Sequence, residues 1–380
     1  MDTIKVGVVG TGFSAMAHIE ALRRIPLVEV VGISGSSFDK GNEIARKLNI
    51  PKAYVSIDEL IQDPDIQAVH NCTPNSLHFE INKQVLLAGK HLMSEKPLAI
   101  NSEQSRELVE LAEQADVISG VCFNYRHYPM VSQVKEMLET GKEGRINLVY
   151  GGYLQDWLLL DTDYSWRLDP QKNGSSRAVA DIGSHWCDTV QYVLNKKITE
   201  VLADLKIIHP VRKKPKGQMT TFTSSDDVER EEIEITTEDY GTVLVHFEDG
   251  IQGVFTVSQV SAGRKNHLYF EIATDHSSFN WDQEKPNQLW VGKRAQSNEV
   301  MLRDPDLLLP NAASLTHYPG GHHEGWPDGL KNLFYDFYQK AADRQYKSSF
   351  ATLSDGHRNM LLVEAILKSH QEKRWVQMEC

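Results

Sequence analysis

The chain has 380 residues, 41% of them hydrophobic and 24% charged, with a formal net charge of −12. That length exceeds one small core and points to two domains, and that composition excludes disordered and fibrous classes. The acidic balance argues against a nucleic-acid binder, whose phosphate contacts need a basic face; the one basic run, RKKPK at 212–216, is soon followed by acidic DDVEREEIE and reads as a solvated loop.

In chain order, IKVGVVG (4–10) precedes a helical pattern at 14–24, and VEVVGIS (28–34) precedes one at 38–48. AVHNC (68–72) precedes a helix at 76–88, HLMSE (91–95) precedes one at 102–115, and VISGVCF (117–123) closes the series. Strand–helix alternation with continuous apolar strands predicts a doubly wound parallel sheet buried on both faces over residues 1–125. From residue 126 the rhythm changes. A helix at 129–140 leads to INLVYGGYL, and then strand-like runs follow one another: VLADLKII, EEIEITTED, GTVLVHFED, IQGVFTVSQV, HLYFEIAT, SSFNWD and QLWVG. Successive strands without helices predict a large, mainly antiparallel sheet, with helices at 326–344 and 354–372 ending a second domain over 126–380. The expected class is α/β followed by α+β.

Four scattered cysteines (Cys72, Cys122, Cys187, Cys380) without a Cys-x-x-Cys pair favour free thiols over a disulfide framework or zinc site. No signal peptide precedes the first strand, and no apolar run reaches the roughly 18 residues of a membrane span, so a cytoplasmic protein without membrane partners is expected.

GTGFSA (10–15) joins the first strand to the first helix, the context that turns a glycine motif into a dinucleotide site. Gly10 permits the tight turn, Gly12 admits a pyrophosphate, and Phe13 and Ser14 open the helix whose N-terminus receives it; Ala15 fills the third, helix-packing position. The acid expected after the second strand is missing. Ser34, Gly35 and Ser36 stand there, leaving room for a 2′-phosphate that Lys40 can reach, although no arginine is present. The cofactor is NAD or NADP, with a lean to NADP.

AVADIGSHWCDTV (178–190) places Asp181, His185 and Asp188 four and three residues apart, on one face of a helix. Metal ligands, a base with its helper, and a polar helix terminus with Asp181 as cap all fit that spacing. No cysteine, histidine or second carboxylate run completes a metal shell, so no metal is expected.

SEKPLA (94–99), with GTGFSA, CTPNSLH (72–78) and DIGSH (181–185), resembles the Gfo/Idh/MocA oxidoreductases over nearly the whole chain, including FNYRHYP (123–129) and PGGHHEGWPDG (319–329). The resemblance implies a six-stranded nucleotide domain, an open-faced sheet domain, assembly as a homodimer or homotetramer, and catalysis by Lys96, Asp181 and His185. Chemistry agrees with those roles. Oxidising a secondary alcohol needs a base at the hydroxyl, which histidine supplies near neutrality, while a lysine cation stabilises the developing alkoxide. Asp181 holds a neighbouring hydroxyl or orients His185, and Asp188 is structural.

Thr73, Pro74, Asn75 and His78 after the third strand run, with Glu95 and Lys96, are the remaining cofactor-binding candidates; helix capping by Asn75 or Ser76 is the alternative. Arg126, Trp157, Trp166 and Arg167 are the substrate-binding candidates, against hinge and core packing, since aromatic faces and charged groups suit sugar rings. His322, His323 and Glu324 lie on a glycine-rich loop and add little. The expected function is NAD(P)-dependent hydride transfer at a secondary hydroxyl of a sugar, sugar derivative or cyclitol. A non-enzymatic dinucleotide-sensing regulator and a redox-assisted glycoside hydrolase stay open; the intact Lys96, Asp181 and His185 oppose the first, and net release of reduced cofactor separates the second.

Overall fold

The structure, a computed structural model, describes residues 3–216 and 229–378; Cys380 and the start of the DDVEREEIE run lie outside them. The chain divides into two compact units, one of residues 1–127 and 326–360, the other of 128–325 and 361–380. The change of unit after residue 127 falls close to the expected boundary at 125. Residues 326–360, expected in the second domain, join the first.

The first unit is built on β1 (Ile4–Val9), α1 (Phe13–Arg23), β2 (Val28–Ser34), α2 (Phe38–Leu48), β3 (Lys52–Ala53), α3 (Ile57–Gln62), β4 (Ala68–Asn71), α4 (His78–Leu87), β5 (His91–Ser94), α5 (Ser102–Gln114) and β6 (Ser119–Val121). All pairings are parallel, in the order β3-β2-β1-β4-β5-β6. Strand order reverses beside β1, and the crevice at the carboxyl ends of β1 and β4 is where such sheets bind ligands. Local chemistry sets the helix ends: Ser37 caps α2, Ser56 caps α3 and Asn101 caps α5, while Asn49 ends α2 in a left-handed conformation at φ 51°. β3 and α3 have no counterpart in the sequence reading, being too short to show a period.

The second unit begins with α6 (Pro129–Glu139) and β7 (Ile146–Leu154), then α7 (Pro170–Asn173), a π-helical turn at Val179–Gly183, and α8 (Ser184–Leu194). There follow β8 (Ile198–Lys206), β9 (Val211–Pro215), β10 (Arg230–Glu234), β11 (Tyr240–Phe247), β12 (Gln252–Ser258), β13 (His267–Thr274), β14 (Ser277–Asp282), β15 (Gln288–Lys293), β16 (Glu299–Leu302) and α9 (Pro310–Ser314). In the first unit again, α10 (Trp326–Ala342) precedes α11 (Leu353–Glu372), which crosses into the second unit before β17 (Val376–Gln377). The nine-stranded sheet runs β16-β15-β14-β13-β7-β12-β11-β8-β17, antiparallel except for β12 with β7. Burial alternates along β11 and β13, so one face packs under helices α6 and α8 and the other is open. Among the described residues no helix is long and apolar enough to cross a membrane.

Two expectations need correction. RKKPK is not a loop: its first four residues lie in β9, paired antiparallel with β10, and the period of two turns Arg212 fully inward and Lys213 outward to Asp161 at 2.7 Å, while Lys214, partly exposed on the Arg212 face, pairs with Glu231 at 3.1 Å. Helix α10 belongs to the first unit because Leu330, Leu333, Phe334, Phe337 and Tyr338 make one apolar stripe, buried in the cluster that holds Ile19 and Leu22 of α1.

Candidate active site

In the first unit the candidate cofactor residues gather at the carboxyl edge of the sheet. Gly10 takes φ +119°, and a Cβ there would stand 2.6 Å from the carbonyl oxygen of Cys72, so only glycine fits. A Cβ on Gly12 would meet nothing within 4 Å. Gly12 also caps α1 without a side-chain hydrogen bond, and no acid stands in the first turn, which leaves that N-terminus suited to an anion. Ala15 is fully buried at the packing position. Phe13 is exposed, 5.6 Å from the ring of Trp326.

After β2, Ser34 is fully buried and Ser37 is engaged in capping α2, accepting from the Lys40 backbone N–H at 3.4 Å. Gly35 is tightly enclosed: a Cβ would lie 2.9 Å from Thr11 Cγ2 and 3.1 Å from the Gly41 nitrogen. Residues 36–40 are all exposed, Asp39 and Lys40 among them. After β4, Thr73 donates its hydroxyl to Asn71 Oδ1 at 2.7 Å, and Pro74 caps a short 3-10 turn, Asn75–Leu77, in which Asn75 is buried. His78 is fully buried, its ring nitrogens facing the carbonyls of Pro97 and Thr73 at 2.6 and 2.9 Å. Burial pushes its pKa down. The ring therefore ties the turn after β4 to the turn after β5 rather than presenting itself at a surface.

The turn after β5 carries Glu95 and Lys96, and the peptide bond between Lys96 and Pro97 is cis. Lys96 is half-buried, and its backbone N–H donates to Glu95 Oε2 at 3.0 Å. Burial pushes the Glu95 carboxyl up, but the hydrogen bond from His18, the Lys96 cation beside it and the Lys96 backbone N–H bring it below the usual carboxylate range. Arg126 also lies in the first unit, on the 3-10 turn Asn124–His127, with NH1 3.5 Å from Asp355.

The second unit brings Asp181, Trp157, Trp166 and Arg167 into one neighbourhood, and His185 follows Asp181 about one turn along the helix. Asp181 sits within the π turn, not on a regular α-helix as its spacing suggests, and His185 is the second residue of α8. Such i→i+5 turns occur often at functional sites. Asp181 Oδ1 pairs with Arg167 Nε at 3.3 Å, and Oδ2 accepts from Gln259 Nε2 at 3.0 Å. The Arg167 guanidinium lies 4.7 Å from the Trp166 ring centre and 5.9 Å from that of Trp157. His185 lies 6.1 Å, ring centre to ring centre, from Tyr153. Asp188 is buried, in keeping with a structural part.

Gln259 links this cluster to a buried ionic core that sequence reasoning missed. Its Oε1 accepts from Arg177 NH1 at 2.9 Å; Arg177 and Arg212 both reach Asp239, at 2.5 and 2.8 Å, and all three side chains are fully buried. Burial pushes the Asp239 carboxyl up, and the two arginines and backbone donors pull it below the usual carboxylate range. Arg212 also donates to the carbonyls of Leu158 and Leu160, holding the aromatic loop from beneath. The one signal for Gln259 was a polar residue closing an apolar strand. Glu324, a minor candidate, is buried against Arg303 at 3.2 Å and holds the backbone of His317 and Tyr318, whereas His322 and His323 are exposed.

Among the described residues, donor groups near enough to share an ion are His18, Glu95 and Cys122, and His267, Asp282 and Glu284. Neither group contains Asp181, His185 or Asp188.

Residues 4–123 match a family model described as an oxidoreductase family with an NAD-binding Rossmann fold, and residues 131–300 match the GFO/IDH/MocA C-terminal domain. The chain is similar to levoglucosan dehydrogenase of Pseudarthrobacter phenanthrenivorans, 29% identical over 400 aligned positions covering 99% of this chain and 98% of that one. It is also similar to myo-inositol 2-dehydrogenase of Thermotoga maritima, 30% identical over 205 positions covering 54% and 59% of the two chains. The solved structure of a levoglucosan dehydrogenase in complex with NADH and levoglucosan superposes with a TM-score of 0.89 at 25% identity, covering 100% of both chains.

Proposed function

We propose, from the premise that this chain belongs to the Gfo/Idh/MocA oxidoreductase family, that it oxidises a secondary hydroxyl of an unphosphorylated sugar, glycoside or cyclitol. The chain is an oxidoreductase with an NAD-binding domain, and its relatives include dehydrogenases of an anhydrosugar and of a cyclitol. The observation that carries the reading is the cradle at Gly10 and Gly12, where a side chain would collide at the first position and open space lies at the second. Gly10, Gly12, Phe13, Ser14, Ser36, Thr73, Pro74 and Asn75 hold the dinucleotide in this reading; Ser34, Gly35, His78 and Glu95 shape the turns that bear them. When bound, the nicotinamide supplies the hydride acceptor.

His185 takes the hydroxyl proton. The pairing of Asp181 supports that division: Oδ1 faces the Arg167 guanidinium and Oδ2 accepts from the Gln259 amide, an arrangement suited to an acceptor for a neighbouring hydroxyl. Lys96, as a cation, stabilises the alkoxide character that develops on the reacting oxygen. Trp157 and Trp166 offer apolar faces to sugar C–H groups, Arg167 steers hydroxyls while tied to Asp181, and Arg126 is retained as a substrate ligand. A simple aliphatic alcohol would leave such groups unpaired, which is costly in a desolvated site.

The reading includes NADP binding at least as well as NAD, because Ser34 closes β2 and Gly35 and Ser36 rather than an acid directly follow it, with Asp39 and Lys40 beyond them. It also includes a homodimer or homotetramer, supported by Leu148, Tyr150 and Leu244, each about two-fifths exposed on the open sheet face. Purified protein screened against free sugars, cyclitols, phosphorylated sugars and simple alcohols with both cofactors, followed by absorbance of the reduced nicotinamide, tests it. Best turnover with phosphorylated sugars or simple alcohols would refute the substrate class, and cleavage of glycosides without net reduced cofactor would favour redox-assisted hydrolysis.

A further inference from the structure

Four polar side chains run through the apolar interior of the first unit. Tyr338 OH lies 2.8 Å from His70 Nε2, His70 Nδ1 lies 2.9 Å from His18 Nδ1, and His18 Nε2 lies 3.2 Å from Glu95 Oε1. His18, His70 and Tyr338 are fully buried, and Phe334 packs against both imidazoles at 4.6 and 4.7 Å. Nothing in the function described above uses the first three.

Two nitrogens facing each other share one proton, so the direction of the whole run follows from its ends. At one end is a carboxylate, which accepts only. It requires His18 to carry its proton on Nε2 and to accept on Nδ1. His70 must then donate from Nδ1 and accept on Nε2, and Tyr338 donates its hydroxyl to that atom. Every donor and acceptor is satisfied. The opposite direction would leave the buried Tyr338 hydroxyl hydrogen without an acceptor among the described residues, and would need either a protonated Glu95 or a second proton on His18.

We propose that Tyr338, His70 and His18 form a one-way hydrogen-bond chain that ends on Glu95 and act as positioning residues for Lys96. The inference rests on the role proposed for Lys96. Glu95 is the junction, since its second oxygen holds the Lys96 backbone N–H at 3.0 Å. Helix α10, which begins 230 residues further along the chain, thereby sets the turn that carries the lysine. The titratable groups that face Glu95 are His18 from α1, Cys72 after β4, His78 at the start of α4, Lys96 beside it and Cys122 after β6. Burial holds both thiols well above their ordinary range, so they stay uncharged.

Nitrogen NMR on the full-length protein labelled with ¹⁵N-histidine, assigned with His18→Gln and His70→Gln, reads the chain without turnover. The expected spectrum shows His18 protonated on Nε2 and His70 on Nδ1 at pH 7, and Tyr338→Phe leaves both protons in place while shifting the His70 Nε2 resonance, which loses its donor. A proton on His18 Nδ1, or on His70 Nε2, overturns the proposal even if no substrate has been found. Turnover then reads the consequence. In His18→Leu, Glu95 keeps its burial but loses its side-chain donor, so its carboxyl rises. We expect kcat to fall roughly 10–150-fold at pH 6, the span of one charge-assisted hydrogen bond, and to recover as pH rises, with KM for the cofactor nearly unchanged. His18→Gln, whose amide can donate to Glu95, should restore most of kcat and remove the acid limb. Equal losses at every pH in both variants, with protein still folded, overturn the positioning role. A wild type inactive on every sugar and polyol would instead sink the proposed function and leave the NMR result to decide the chain.

Discussion

Replacing Gln259 by leucine tests whether the buried ionic core positions Asp181. Leucine is close in size, so the change removes two hydrogen bonds with little change of volume: the one to Asp181 Oδ2 at 3.0 Å and the one from Arg177 NH1 at 2.9 Å. Both partners are charged, and both lose a buried contact. Arg177 keeps Asp239 at 2.5 Å and two contacts to Thr237, so its loss is partial. Asp181 keeps Arg167 at 3.3 Å, a longer contact to a half-buried side chain that can swing. A hydrogen bond to a charged group is worth roughly 1.5–3 kcal/mol, so the expected loss of stability is about 2–4 kcal/mol. In a unit of some two hundred residues each kcal/mol moves the midpoint by roughly 2–4 °C, which predicts a drop of about 4–16 °C. The same interaction withdrawn from Asp181 in the transition state should lower kcat/KM by roughly 10–150-fold. Calorimetry and steady-state kinetics well below the new midpoint measure both. A folded variant with kcat/KM within twofold of the wild type would refute the positioning of Asp181 by Gln259, and with it the link from the buried core to catalysis.

Replacing His185 by alanine should reduce turnover by roughly 10²–10⁴-fold while cofactor affinity, measured by fluorescence titration, is retained; near-normal turnover would remove His185 as the base. Ser36→Asp should shift preference toward NAD by repelling a 2′-phosphate. Ser36 is the position to change because a side chain at Gly35 would strike Thr11. Titration of both cofactors decides it, and a strong wild-type preference for NAD would end the argument. Stability should fall as pH drops below about 6.5, the ordinary histidine range, because burial holds His70 and His78 below it and only the unfolded chain then takes up their protons. Each contributes a slope of at most about 1.4 kcal/mol per pH unit, so urea unfolding that is flat between pH 5 and 7 would contradict this.

The parallel sheet and its glycine loop were legible in the sequence because their causes are local. Continuous apolar strands, helices of period 3.6 and a glycine turn between strand and helix need no distant partner to be recognised. The same holds for Asp181 and His185 as polar residues in an apolar stretch, and for Lys96 before a proline. What the sequence could not disclose depends on which side chains meet after folding. Arg212 belongs to a run of five residues that reads as solvated, yet the register of β9 turns it inward to Asp239. Helix α10 carries an ordinary amphipathic stripe, and only packing shows that the stripe serves the first unit and brings Tyr338 to His70. The same is true of Gln259, which meets Asp181 across 78 positions of chain. Periodicity reports which face of an element is buried; it carries no information about the polar atom that waits on the other side, and a buried hydrogen bond is specified only when both partners are in place.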